Sequence, residues 1–267
     1  MTDIPFYWLD IFTETPFKGN PAAVCILGNE LDDETYQNIA KELNLSETAF
    51  PIKKAESEYN LRWFTPTMEM PLCGHATIAT AYTLHKEYKE KSPILFHTLS
   101  GDHVVEIKDN KVTLNFPKWS FDPSPNPELC KLIGLSPNLP TYYNQEMQSY
   151  VIILDSKKQV EDFSPDFQSL LQYGLQNNVY GVVVASKDDE YDYVYRVFAP
   201  VIGINEDAGT GIANCVMGHY WGKVLGKKQM RVAQLSERGS EFEIEIVEDG
   251  VKITGKATLL IKGTISI

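Results

Sequence analysis

The sequence has few of the residues that mark disulfide-rich, zinc-ribbon or nucleic-acid-binding proteins. Its 267 residues include four cysteines, Cys25, Cys73, Cys130 and Cys215, which are widely spaced and form no C-x-x-C pair. This spacing excludes a disulfide scaffold and argues against a zinc ribbon or a thioredoxin-like motif. Lys and Arg number 24 against 36 Asp and Glu, which gives a net charge of −12. Because phosphate binding requires clustered basic side chains, the sequence excludes a nucleic-acid partner.

Long apolar runs are absent as well. No stretch approaches the roughly 18 apolar residues that a membrane-spanning helix needs. The first twenty residues lack the basic start and apolar run of a secretory signal. The overall content of 43% apolar and 22% charged residues is that of a folded globular chain. We therefore predict a cytoplasmic protein with no membrane partner.

The two halves of the chain resemble each other. Three similarities occur in the same order, at offsets of 134, 137 and about 139 residues: LRWFTP (61–66) with YRVFAP (195–200), CGHATIA (73–79) with TGIANC (210–215), and VVEIKDNKVTLNF (104–116) with IEIVEDGVKITG (244–255). The second similarity aligns Gly74 with Gly211. Three collinear matches indicate a duplicated unit.

Each half has the same predicted order of elements. An apolar strand is followed by an amphipathic helix and later by a hairpin of alternating apolar and polar residues. The strands are predicted at Pro21–Leu27 and Tyr150–Asp155, the helices at Asp32–Leu43 and about Pro165–Tyr173, and the hairpin turns at Asp109-Asn110 and Asp249-Gly250.

Two further helices are predicted to be buried. Residues 76–84 and 212–221 are small or apolar nearly all round, which is typical of a helix enclosed by other elements. We therefore predict an α+β fold of two pseudo-repeated domains, each a mostly antiparallel sheet rolled around one central helix that begins at Gly74 or Gly211.

The domain boundaries follow from the same pattern. The proline-rich stretch Pro117–Pro127 is the predicted linker. The N-terminal lobe is predicted at 1–117 and the C-terminal lobe at 118–257, with a final strand at 258–267 returning to the first lobe.

A buried helix that begins with glycine exposes free backbone N–H groups and the positive end of its dipole. Two such starts facing one cleft between the lobes would hold a carboxylate without lysine or arginine. The alternative is that Gly74 and Gly211 only permit tight turns.

The motifs resemble those of a known family. They are FKGNPAAV (17–24), LSETAF (45–50), RWFTPTMEMPLCGHATIATAYTL (62–84), RVFAPVIGINEDAGTG (196–211) and LSERGSEFEIEI (235–246). This set resembles the phenazine-biosynthesis PhzF-like family of the diaminopimelate epimerase and proline racemase superfamily, from about Asp10 to Ile267. The resemblance implies two similar domains, an active site between them that uses no cofactor, and a homodimer.

The resemblance also implies site residues. It makes Glu47 the catalytic carboxylate, with His75 and Asp207 completing the working set. Read alone, Glu47 could equally be a solvated loop residue, His75 a hydrogen-bonded core residue and Asp207 a helix cap. A catalytic Glu47 would need its pKa raised by burial, and His75 at a helix start is expected to be neutral.

The second half lacks a matching carboxylate. The counterpart of Glu47 falls near Tyr180-Gly181, and Thr210 stands where the first half has Cys73. Because a threonine hydroxyl is a poor proton acceptor near neutral pH, an epimerase with two cysteine bases is disfavoured.

The chain departs from the family pattern at two positions. Ile212 replaces a serine and Asn214 replaces a histidine in the usual E-D-P-V-T-G-S-A-H motif, so the phenazine precursor is not the expected substrate. The remaining histidines show no metal-ligand spacing and the sequence predicts no metal site.

We therefore predict an isomerase of a small carboxylic acid that moves a proton with Glu47. The substrate is expected to bind at Gly74, Thr210 and Gly211. Two alternatives stay open at this point: an epimerase or racemase that uses Cys73, and a metabolite-binding protein that has kept the fold without catalysis.

Overall fold

A computed structural model describes residues 2–119 and 122–267 of the chain. The chain forms two compact units, one of residues 1–115 and 253–267 and the other of residues 116–252. The sequence placed the boundaries after residues 117 and 257. The chain returns from the second unit to the first at residues 252–253. This point lies inside one continuous strand, Gly250–Ser266, so no turn in the sequence marks it. Ser120 and Phe121, within the predicted linker, lie outside the described residues.

The first unit contains eight strands and two helices before the chain leaves it. The strands are β1 (Asp3–Ile11), β2 (Asn20–Cys25), β3 (Glu47–Ala55), β4 (Glu58–Phe64), β5 (Glu69–Met70), β6 (Ile94–Thr98), β7 (Gly101–Lys108) and β8 (Lys111–Pro117), and the helices are α1 (Asp33–Leu43) and α2 (Gly74–Tyr88).

Among the described residues, the second unit contains seven strands and four α-helices. The strands are β9 (Asp122–Pro123), β10 (Thr141–Asn144), β11 (Ser149–Ile153), β12 (Gly181–Lys187), β13 (Tyr193–Phe198), β14 (Gln229–Gln234) and β15 (Ser240–Val247), and the helices are α3 (Pro127–Leu132), α4 (Lys157–Asp162), α5 (Phe167–Asn177) and α6 (Asn214–Leu225). The last strand, β16 (Gly250–Ser266), returns the chain to the first unit, where it pairs with β1.

The strand pairing of the first unit recurs in the second. In the first unit β2 is parallel to β3, β3 antiparallel to β4, β4 parallel to β6 and β6 antiparallel to β7. In the second unit β11, β12, β13, β14 and β15 repeat this series of directions. The duplication and the α+β class predicted from the sequence are therefore confirmed.

The two buried helices occupy equivalent positions in the repeat. The first helix, α2, begins at Gly74 as predicted and packs against β1, β2, β3 and β7. The second, α6, packs against β14 and β15. Its predicted start at Gly211 was wrong, because Gly211–Ala213 forms a 3₁₀ turn and the α-helix begins at Asn214. The N–H of Ala213 bonds to the carbonyl of Thr210, and this i to i−3 bond tightens the first turn.

The surface elements differ from prediction mainly at their ends. Helix α1 begins at Asp33, because the side chain of Asp32 accepts the N–H of Thr35 and caps it. The second amphipathic helix, α5, begins at Phe167 and extends four residues past the predicted end at Tyr173. The hairpin at Asp109-Asn110 is confirmed, with both residues in the left-handed region at φ of 50° and 65°. The other turn lies one residue earlier than predicted, since Gly250 already belongs to β16.

Within the described residues, no helix is long and apolar enough to cross a membrane.

Candidate active site

Glu47 is the first residue of β3, at the point where that strand begins to pair in parallel with β2. Its Cα partner is Ala22, and its side chain is 13% exposed. The residues that directly follow it in the strand, including Ala49 and Phe50, are buried. The carboxylate is therefore held at the edge of the core of the first unit, and it is not the solvated loop residue of the alternative reading.

Cys73 and His75 lie at the start of α2 and face Glu47. Nε2 of His75 lies 3.2 Å from Oε2 of Glu47, and Nδ1 of the same ring lies 3.6 Å from Sγ of Cys73. The side chain of His75 is 9% exposed and Cys73 is buried. One ligand-capable atom from each of the three residues lies within 4.8 Å of the others. The fold thus brings a carboxylate, an imidazole and a thiol together inside one unit.

Ser46 is a member of the site that the sequence reasoning missed. Its hydroxyl lies 3.3 Å from Nε2 of His75, 3.3 Å from the carbonyl of Pro21 and 3.4 Å from Oδ1 of Asn20. The signal was present, since Ser46 precedes Glu47 in LSETAF and Asn20 belongs to FKGNPAAV.

Gly19 explains why the motif FKGNPAAV (17–24) contains a glycine. Its φ is +67°, and a Cβ there would lie 2.1 Å from the carbonyl oxygen of Ile11. Only glycine fits this backbone, and it leads the chain directly into Asn20.

The pKa of Glu47 is lowered, contrary to the direction expected from the sequence. Burial on its own would raise the pKa of this carboxyl, but the ionic contact with His75 and the nearby Ser46 hydroxyl outweigh burial. The contact between Oε2 of Glu47 and Nε2 of His75 is a salt bridge when the imidazole is protonated. Glu47 is therefore charged at neutral pH and able to accept a proton.

The expected neutral form of His75 is also wrong. Burial opposes the charged imidazolium, yet the adjoining Cys73 and Glu47 raise the pKa of His75 well above its usual value. We attribute this direction to Glu47, because burial and the same carboxylate raise the pKa of the Cys73 thiol and keep it protonated. The resting cluster is thus a carboxylate, an imidazolium and a neutral thiol.

In the second unit, Asp207 and Thr210 form a separate polar group. The hydroxyl of Thr210 donates to the Asp207 carboxylate. The side chain of Gln234, which is fully buried, accepts the N–H of Thr210 at 2.6 Å and donates to the carbonyl of Asp207 at 2.5 Å. Asp207 thus hydrogen-bonds to the side chain of Thr210. Gln234, which sequence reasoning missed, hydrogen-bonds to the backbone of both residues.

Asn214, one of the two departures from the family pattern, is a structural residue. It is fully buried, accepts from the hydroxyl of Tyr193 at 2.7 Å and donates to the hydroxyl of Tyr195 at 3.0 Å. Tyr195 in turn donates to the carbonyl of Thr210 at 3.1 Å. Ile212, the other departure, is half-buried in the 3₁₀ turn.

The repeat shows why the second unit has no counterpart of the Glu47 carboxylate. Thr48 pairs with Phe64 in the first unit, as Val182 pairs with Phe198 in the second. The residue before Val182, and thus the counterpart of Glu47, is Gly181. A Cβ at that position would lie 2.6 Å from the carbonyl oxygen of Phe198, so no side chain fits there. At this position of the repeat, a carboxylate is therefore possible in the first unit and not in the second.

Similarity to solved structures identifies the fold. A probable proline racemase from Agrobacterium radiobacter is 12% identical, with a TM-score of 0.65 over 99% of this chain and 93% of that one. A PhzF-family phenazine biosynthesis protein from Enterococcus faecalis is 37% identical, with a TM-score of 0.93 and complete coverage of both chains. The fold is that of the racemase and epimerase superfamily.

The family follows from the sequence comparisons. Residues 9–263 match the PhzC-PhzF family described as phenazine biosynthesis-like protein, and the chain belongs to that family. An uncharacterized isomerase of Halalkalibacterium halodurans is 38% identical over 271 residues, with 98% of each chain covered. A human phenazine biosynthesis-like domain-containing protein is 37% identical, with 98% of this chain and 99% of that one covered. The protein is an isomerase of this family.

Proposed function

We propose that this isomerase moves a proton on a small carboxylic acid, cyclic or unsaturated, without a cofactor, and that Glu47 is its general acid and base. The observation that carries the proposal is the buried carboxylate of Glu47, 3.2 Å from the imidazole of His75. A charged, desolvated carboxylate is able to remove a proton from a carbon next to a conjugated system and to return it at another position.

His75 supports this chemistry in two ways. As an imidazolium it keeps Glu47 ionised before proton transfer. Once Glu47 has taken the proton, the positive charge of His75 faces the anionic intermediate and lowers its energy. Its second ring nitrogen contacts Cys73, which fixes the ring orientation.

The start of α2 suits the substrate carboxylate. Cys73 occupies the N-cap position, and its side chain makes no capping hydrogen bond. The N–H groups of Gly74 and His75 and the positive end of the helix dipole are suited to an anion. That Asp207, Thr210 and Gly211 of the second unit act on the same substrate rests on the family resemblance and stays a prediction.

Solvent-deuterium exchange into candidate acids tests the proposal. The wild-type protein should incorporate deuterium, and Glu47→Gln should reduce the rate by at least about 100-fold, the usual contribution of a general base. Glu56→Gln, in an exposed surface ion pair, is the matched control and should exchange at the wild-type rate. Wild-type exchange by Glu47→Gln would eliminate Glu47 as the base.

The contact between Cys73 and His75 favours one second candidate, an epimerase in which Cys73 is a base. Under that mechanism an enantiopure amino or hydroxy acid would lose optical rotation, and Cys73→Ser would abolish the loss while Glu47→Gln would not. In the second unit the equivalent hydroxyl of Thr210 is engaged with Asp207, which supports the Glu47 mechanism. Tight capture of an acid with no exchange in any variant would instead indicate a binding protein without catalysis.

A further inference from the structure

We propose that Glu47, Cys73 and His75 form a site for a thiophilic divalent metal ion, zinc above all, and that the bound ion inhibits the enzyme. The cluster joins one sulfur, one nitrogen and one oxygen donor on two elements of a single unit. This donor set suits zinc, whereas calcium and magnesium require several oxygen ligands. Inhibition rests on the proposed function, since it requires Glu47 to be the base. Metal binding does not.

One ligand atom from each of the three residues lies within 4.8 Å of the others. Zinc lies about 2.0–2.2 Å from nitrogen and oxygen ligands and about 2.3 Å from sulfur, so neighbouring ligand atoms are roughly 3.4–3.6 Å apart. His75 faces Glu47 through Nε2 at 3.2 Å and Cys73 through Nδ1 at 3.6 Å, and one ion binds only one of these nitrogens. Binding therefore requires the Cys73 or the Glu47 side chain to rotate toward the ring nitrogen that the other already faces.

A second observation also points to a ligand at this place. Oε2 of Glu47 is buried and, within residues 2–119 and 122–267, has no donor in hydrogen-bond geometry. The imidazolium of His75, 3.2 Å away, balances the charge of this oxygen, and a metal ion bound here would take over that role. Glu47 thus places a buried carboxylate oxygen beside a nitrogen and a sulfur donor.

Binding has a definite chemical balance. The ion forms bonds to Sγ of Cys73, one ring nitrogen of His75 and one oxygen of Glu47. The thiol proton and one imidazolium proton pass to solvent. With its carboxylate bound to the metal and its imidazolium partner neutralised, Glu47 no longer accepts a proton from substrate.

The exposed groups of the same unit provide a contrast. His97 lies between Asp102 at 2.7 Å and Glu58 at 2.8 Å, with no thiol in the group. A metal ion bound adventitiously at that surface position would have no sulfur ligand. The His97→Asn variant removes this competing position, so each measurement is repeated in it.

Cobalt(II) and zinc titrations of the purified full-length protein test the site. Cobalt should give an absorption band from thiolate-to-metal charge transfer with a stoichiometry of one, and zinc should remove that band. Cys73→Ala should abolish the band and weaken zinc binding by more than about 100-fold, since loss of a direct ligand exceeds the 10–100-fold typical of groups behind the ligands. Cys130→Ala, at another fully buried cysteine, is the matched control and should bind as the wild type does.

Two results would overturn the inference. One is binding that is equal in Cys73→Ala and wild type and is lost in His97→Asn, which shows an adventitious ion only. The other is the absence of a thiolate band at saturating cobalt. Either result, together with deuterium exchange that still depends on Glu47, would leave the proposed function intact. Normal zinc binding with Glu47-independent exchange would overturn the proposed function and leave the metal site.

Discussion

Glu47 shows how one neighbouring residue reverses the effect of burial. Desolvation favours the neutral carboxylic acid, and the charged imidazole of His75 favours the carboxylate. The contact with His75 affects the pKa of Glu47 more than desolvation does, because the two groups are 3.2 Å apart and share a poorly solvated site. The carboxylate of Glu47 is thus kept ionised by a histidine.

His75→Asn tests this balance through the pH dependence of deuterium exchange. A carboxylate is a base only above its own pKa. His75 lowers the pKa of Glu47, so the wild type should keep activity to a pH below the ordinary range of glutamate. In the variant burial alone acts and raises this pKa, so the acid limb of the pH–rate profile should move to higher pH. An unchanged acid limb would show that His75 does not set the charge of Glu47.

Gln234 provides a residue-scale prediction for the second unit. Gln234→Leu keeps a side chain of similar size but leaves the N–H of Thr210 and the carbonyl of Asp207 without their partner. We expect a loss of about 2–4 kcal/mol in the free energy of unfolding, from two half-buried backbone groups at about 1–2 kcal/mol each, the lower part of the range for unsatisfied buried groups. Urea denaturation measures it. Gln229→Leu, exposed at the other end of β14, is the control and should change stability by less than about 0.5 kcal/mol.

At the scale of elements, the duplication preserves an arginine–glutamate pair. Arg62 binds Glu69 through two bonds of 2.7 and 2.8 Å, and Arg196 binds Glu206 with the same two distances. Each guanidinium also lies 5.0 Å from the ring of a phenylalanine two residues further along its strand. The pair braces the loop that leads from the strand to the buried helix in both units.

The two pairs should differ in strength. Arg196 also donates to three backbone carbonyls at the end of α4, namely those of Val160, Glu161 and Phe163. Arg62 instead reaches the exposed carboxylate of Asp33. We expect Arg196→Met to cost about 3–5 kcal/mol in the free energy of unfolding, the range for a broken, largely buried pair.

Arg62→Met is the matched variant, and its cost should be about 1–2 kcal/mol, because its side chain is more exposed and water replaces part of the lost bonding. Chemical denaturation of the two variants compares them. Equal losses would contradict the assigned role of the α4 carbonyls.

At the scale of the whole molecule, the net charge of −12 bears on how an anionic substrate arrives. A negative protein repels a carboxylate over long distances, and salt screens this repulsion. We expect kcat/KM for an acid substrate to rise by a factor on the order of two as ionic strength increases from low to physiological values. The uncharged amide of the same acid, used as a binding competitor, should show no such dependence. A fall in kcat/KM with salt would indicate local positive charge that governs binding.

The cytoplasmic location and the homodimer stay predictions. Light scattering distinguishes a mass of one chain from that of two.

The sequence by itself determined the duplication, the α+β class, the two buried helices and the motifs that contain Glu47, Cys73 and His75. These features depend on local periodicity and on side chains that are adjacent in the chain, so they can be predicted from the sequence alone. The tertiary structure alone decided the charge states, the parts of Ser46 and Gln234, the 3₁₀ turn before α6, and the closeness of Cys73 and His75 to Glu47. The reason is physical: a pKa or a buried hydrogen bond depends on groups many residues apart, and the parallel pairing of β2 with β3 and the packing of α2 bring those groups together.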